Sequence, residues 1–118
     1  MGDSFMNLIV WQRAVELSTD VYRLTAAFPK SEQFGLVNQM RRASVSIASN
    51  IAEGYGKRTR GEYLQSLGHA RGSKCELQTQ IVIAKSLGFG ARNPYDRTEH
   101  LCADVSRLLI ALMKKLEG

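Results

Sequence analysis

Cysteine and proline are scarce, with two of each in 118 residues. Cys75 and Cys102 are isolated and sit inside strongly helical patterns, where a free thiol acts as a small hydrophobe more often than as a ligand. That leaves no basis for a disulfide framework and points to a reducing cytoplasm. Long apolar runs are absent as well: none free of charge reaches the roughly 18 residues of a membrane span. The opening MGDSFMNLIVWQR lacks the basic segment and long apolar stretch of a secretory signal, so neither secretion nor membrane insertion is expected. Nothing alternates with period two over a strand's length, which argues against a sheet, and no internal repeat or low-complexity linker divides the chain. One domain over residues 1–118 is expected, long enough to bury a core without a metal or a disulfide.

Chemistry-bearing motifs are equally thin. The only histidines, His69 and His100, have no cysteine or second histidine at ligand spacing, so no metal site is expected. A ferritin-like centre would need a Glu-x-x-His pair on facing helices, whereas Glu99 and His100 are adjacent and point different ways. GHARGSK has a faint look of a phosphate loop but not its spacing, and no strand precedes it. Serines are frequent, yet none sits on a strand-turn-helix elbow or beside a base. No catalytic residue, no cofactor and no enzymatic activity are expected.

What is present is helical periodicity. Val10, Ala14, Leu17, Val21, Leu24 and Phe28 recur at steps of three and four, with Trp11 and Val15 widening the stripe, and Pro29 cannot continue the helix. A second helix, over about Phe34 to Glu53, follows Leu36, Met40, Ala43, Ile47 and Ile51 and stops at Gly54 and Gly56. The third starts where Thr59 caps the free amides and Glu62 reaches back, then carries Tyr63, Leu67, Ala70, Leu77, Ile81 and Ala84 to a stop at LGFG. For the fourth, Asn93 is the expected N-cap, Pro94 the first helical residue and Asp96 a first-turn acid, ahead of Thr98, Cys102, Val105, Leu109, Leu112 and Leu116. Connections this short make neighbours antiparallel, so the expected fold is all-α, an up-down-up-down four-helix bundle.

Polar stripes run beside the apolar ones. Helix 2 carries Gln39, Arg42, Ser46, Asn50 and Glu53; helix 3 carries Gln65, His69, Gly72, Glu76 and Gln80. Folding the two back about Lys57 brings Ser46 to Gly68, Arg42 to Gly72, and Glu76 within reach of Arg41 or Arg42. An interhelical ion pair is therefore expected, with the Gly68-x-x-x-Gly72 spacing allowing close backbone approach. Apolar residues on further faces, Trp11, Val15, Tyr22, Val37, Val45, Leu108 and Met113, point to self-association. Charge is the other positive feature: 16 Lys+Arg against 11 Asp+Glu give a formal +5, a bias toward polyanions. In the expected topology Lys57, Arg58, Arg60, Lys114 and Lys115 gather at one pole, opposed only by Asp3, Glu62 and Glu117.

Several phrases are collectively distinctive: W-Q-x-A from Trp11, F-P-x-S-E-x-F-G-L from Phe28, Q-x-R-R-A from Gln39, S-I-x-x-N-I-A-E-G from Ser46, and A-R-G-S-x-x-E-L from Ala70. Over about Leu8 to Phe89 the chain resembles the four-helix-bundle family encoded by intervening sequences in bacterial 23S ribosomal RNA genes, while helix 4 matches only in pattern. The resemblance implies a cytoplasmic homo-oligomer, a pentamer, with no known enzymatic activity. The chain is also similar to the accessory protein of diversity-generating retroelements, a basic pentameric barrel that works with a reverse transcriptase and binds nucleic acid. On this chain the matching motif residues are Arg41, Arg42, Asn50, Glu53, Arg71 and Glu76, which form the expected structural polar network, with the basic turn at Lys57 and Arg58. Lys74 departs from the family, which more often has an apolar residue there. Two functions stay open: an oligomer that binds RNA or DNA through its basic pole, and a protein-binding or scaffolding oligomer with no nucleic-acid role.

Overall fold

The computed structural model describes residues 4–118. Four helices follow one another: α1 (Ile9–Thr25), α2 (Leu36–Tyr55), α3 (Arg60–Ser86) and α4 (Asn93–Glu117), with single 3-10 turns at Phe5–Asn7 and Lys30–Glu32. No strand occurs among the described residues. Each helix packs on its neighbours in sequence and α4 closes back onto α1, giving a bundle of 43 × 26 × 23 Å. Cross-helix partners run in opposite order along the α1–α2 and α2–α3 pairs. Ser18 meets Ser44 and Thr25 meets Arg41 on α1 and α2, while Ser46 meets Ser73 and Gly54 meets Ser66 on α2 and α3. The fold is all-α with four helices, as expected, and these contacts are consistent with the expected antiparallel bundle.

The apolar stripes turn inward. Leu17, Val21, Met40, Ile47, Ile51, Leu67, Leu77, Val105 and Leu109 are fully buried and line one continuous core. Val37, expected on an outer face, also belongs to this core.

Helix ends depart from expectation in three places. α1 stops at Thr25, and the chain tightens through Phe28, whose amide donates to the Thr25 carbonyl at 3.0 Å. The tighter turn drops the Phe28 ring into the core against Phe89 and Tyr95, before Pro29 breaks away. α2 starts at Leu36 and not Phe34, because the Glu32 side chain reaches over and accepts from the Leu36 amide at 3.1 Å. At α4, Arg92 already has helical backbone angles, so Asn93 lies one residue too deep to cap and no side chain does so. The Thr59 cap is as expected: its Oγ1 accepts from the Glu62 amide at 3.1 Å.

The glycines divide sharply. A Cβ at Gly54 would lie 2.9 Å from both Ser66 Cβ and Tyr63 Cδ1, so α3 packs directly on the bare backbone there. Gly68 and Gly72, expected to make that approach, have open space around a Cβ and face solvent. Seating Tyr63 and Ser66 on Gly54 carries the helix 2–helix 3 register about one turn past the expected one. Ser46 consequently bonds Ser73 at 2.9 Å and does not meet Gly68. Each glycine in the middle of α3 still costs about 1 kcal/mol of helix stability relative to alanine.

Candidate nucleic-acid interface and polar seams

The shifted register decides what the polar stripes do. Arg42 and Glu76 line the same open groove between α2 and α3, about 340 Å³, with Asn38, Gln39, Ala43 and Ser46. They do not pair: among the described residues neither has an oppositely charged side chain within 4 Å, and both are exposed. Arg41 turns the other way, toward α1. Its Nε donates to Thr25 Oγ1 at 2.9 Å, its terminal nitrogen donates to the Tyr22 carbonyl, and the guanidinium lies 4.5 Å from the centre of the Tyr22 ring. The expected ion pair of Glu76 with Arg41 or Arg42 is therefore absent. With Ser46 on Ser73 the register carries Arg42 level with Glu76, and the two charges still stay apart in solvent at the rim of the groove.

Neutral groups form the α2–α3 seam instead. Asn50 Nδ2 donates to the Ser46 carbonyl and hydroxyl at 2.9 and 3.0 Å, and the Ser46 hydroxyl meets Ser73. Of the expected network, Asn50 takes part. Glu53 and Arg71 stand in solvent with no ion-pair partner among the described residues. Gln80, at the end of the helix 3 stripe, is buried with its Oε1 unpartnered.

A nearly buried carboxylate, paired with an exposed arginine, occupies the opposite seam, between α1 and α4. Asp20 accepts from the fully buried Thr98 hydroxyl and from Arg97 Nε at 3.2 Å. Asp20 lies three residues after Leu17 and four before Leu24, so a charge on the apolar stripe was the available sequence signal. Lys74 is buried at the α3–α4 seam, and its ammonium donates to Gln78 Oε1 at 3.3 Å. The thiol of Cys102, also in this interior, is pushed up to about 12, chiefly by burial; nearby Lys74 acts the other way, and Glu99 and Asp20 add to the rise. Burial likewise raises the phenols of Tyr63 and Tyr95 above their ordinary range, with Tyr55 adding to the shift at Tyr63.

The cationic candidates lie at one end of the bundle. The turn between α2 and α3 holds Lys57 and Arg58, Arg60 opens α3, and Lys114 and Lys115 close α4. All five are exposed, and among the described residues none has a carboxylate within 4 Å. Glu62 is held by the Thr59 hydroxyl at 3.1 Å, and Asp3 lies outside the described residues. Among the described residues, no three His, Cys, Asp or Glu side chains gather into a possible metal set, and no helix is long and apolar enough to cross a membrane.

Such a molecule is a four-helix bundle with neutral or buried polar seams and a cluster of free cations at one end. The chain belongs to the family of the 23S rRNA-intervening sequence protein, whose family model matches residues 6–111 and so extends through most of α4. A crystal structure of a protein with unknown function from the S23 ribosomal protein family of Bacteroides thetaiotaomicron VPI-5482 is similar, with a TM-score of 0.80 at 19% identity. The likeness covers 90% of this chain and 96% of that one, and it bears on the fold alone. No curated protein matches the chain.

Proposed function

We propose that the chain acts without catalysis, as a cytoplasmic homo-oligomer that binds the phosphate backbone of RNA or DNA through its cationic end. The observation that carries this reading is the set of five exposed cations, Lys57, Arg58, Arg60, Lys114 and Lys115, none paired within 4 Å among the described residues. Unpaired cations exchange counterions for phosphates, a reaction driven by counterion release and blind to base sequence. Several copies in one assembly would add their fields, since each brings a formal +5. Five copies, and a reverse transcriptase as protein partner, rest on the family resemblance.

The test is affinity for single- and double-stranded RNA and DNA across a salt series, with the native protein and a Lys57→Ala, Arg58→Ala, Arg60→Ala variant. The expected result is weak sequence preference, a steep loss of affinity with salt, and a shallower slope in the variant. An unchanged slope moves the interface elsewhere on the surface. Absence of binding at low salt favours the second reading, a protein-binding scaffold, for which the exposed Val15, Tyr22 and Val45 speak.

A further inference from the structure

Aromatic rings flank the free cations at the α2–α3 turn. Tyr55 is the last residue of α2, Lys57 and Arg58 stand in the turn, Arg60 opens α3, and Tyr63 lies in its first turn. The two rings meet edge to face, with centroids 6.3 Å apart and planes at 81°. Tyr63 is fixed by packing on the bare backbone of Gly54, so it is a firm support for the Tyr55 ring. Both tyrosines are only half-buried, and among the described residues neither hydroxyl has a hydrogen-bond partner. Other rings near the surface are engaged or remote: Tyr22 lies under the Arg41 guanidinium, Trp11 packs on Phe5, and the exposed Phe34 lies at the other end of the bundle. The acids nearest the turn in sequence are Glu53 and Glu62, fewer than the three cations, and Glu62 is held by the Thr59 hydroxyl.

We infer that the cationic end takes single-stranded RNA or DNA, with the Tyr55 ring stacked on an unpaired base while Lys57, Arg58 and Arg60 hold the flanking phosphates. The inference rests on the phosphate-binding reading above and names the form of nucleic acid that the site takes. Phosphate contacts by themselves serve a strand and a duplex alike, and free cations suffice for them. A ring set among those cations adds a contact only where the face of a base is open. In a duplex each face is covered by the neighbouring pair, whereas an unpaired strand offers its faces to aromatic side chains. Every base has such a face, so stacking adds affinity without reading sequence and fits the same sequence-blind role. Reach agrees as well. The chain from Tyr55 to Arg60 extends at most about 18 Å, so the ring and the three cations act on the same few nucleotides.

The experiment measures binding of oligouridylate, oligothymidylate and a DNA duplex of equal length across a salt series, for the native protein, Tyr55→Leu and Tyr55→Phe. Circular dichroism of each variant verifies folding. In parallel, strands carrying 5-iodouracil are irradiated on the native protein and the crosslinked residue is mapped by mass spectrometry. Expected are tighter binding of the single strands than of the duplex, and a loss of about tenfold on single strands for Tyr55→Leu with duplex affinity and salt slope unchanged. Tyr55→Phe, which keeps the ring, should bind as the native protein does, and the crosslink should fall on Tyr55. A native preference for the duplex, an equal loss on both forms, or unchanged single-strand affinity in a folded Tyr55→Leu overturns this inference, while a steep salt dependence keeps phosphate binding standing. If Tyr55→Leu does not fold, the native crosslink decides: at Tyr55 it upholds the stacking, and at other residues alone it overturns it. Absence of binding to either form at low salt overturns both this inference and the reading on which it rests.

Discussion

Along the seam between α1 and α4 a carboxylate is buried and satisfied, since Asp20 takes the Thr98 hydroxyl and Arg97. Along the seam between α2 and α3 the groups that meet are neutral, Ser46, Ser73 and Asn50, and the charges Arg42 and Glu76 stay at the rim without touching. The difference follows from solvation. A charge removed from water must find donors within the fold, while one at a rim keeps its water and gains little from a partner. Rim charges are consequently free to serve the outside, and buried ones set the geometry of the bundle.

Replacing Asp20 by Ala tests the buried side and carries the largest expected effect. It removes a nearly buried charged acceptor and leaves the Thr98 hydroxyl only the longer bond to the Pro94 carbonyl at 3.3 Å, so destabilisation on the order of 3 kcal/mol is expected in denaturant unfolding. A loss no larger than that of a surface substitution would equate the two seams. Next comes Gly54→Ala, which forces a methyl to within 2.9 Å of Ser66 and Tyr63. Overpacking of that kind should cost about 2 kcal/mol, measured as a lowered unfolding midpoint with unchanged slope. Smallest is Glu76→Ala: with no ion-pair partner and solvent around it, the change should stay within about 0.5 kcal/mol. A loss several times that size would place a hidden partner for Glu76 in the groove and erase the contrast.

Much of the architecture was legible from residue order. Periodicity located all four helices, and Thr59 with Glu62 marked the start of α3. Short connections dictated antiparallel neighbours. The cationic end was equally legible, because topology alone carries Lys57 and Lys114 to the same pole. Local chemistry suffices for such features, as helix formation and its caps depend on residues within a few positions of one another.

Tertiary packing alone decided the register and everything that hangs on it. Which glycine is approached, Gly54 and not Gly68 or Gly72, depends on how Tyr63 and Ser66 fit across a neighbouring helix. Arg41 faces α1, and Arg42 stays apart from Glu76 although the fit brings both to one groove. Spacing in sequence places a side chain on a face of its helix. The axial offset between two helices is set by interlocking surfaces along their whole length, and one turn of offset decides that Ser46 meets Ser73 and not Gly68.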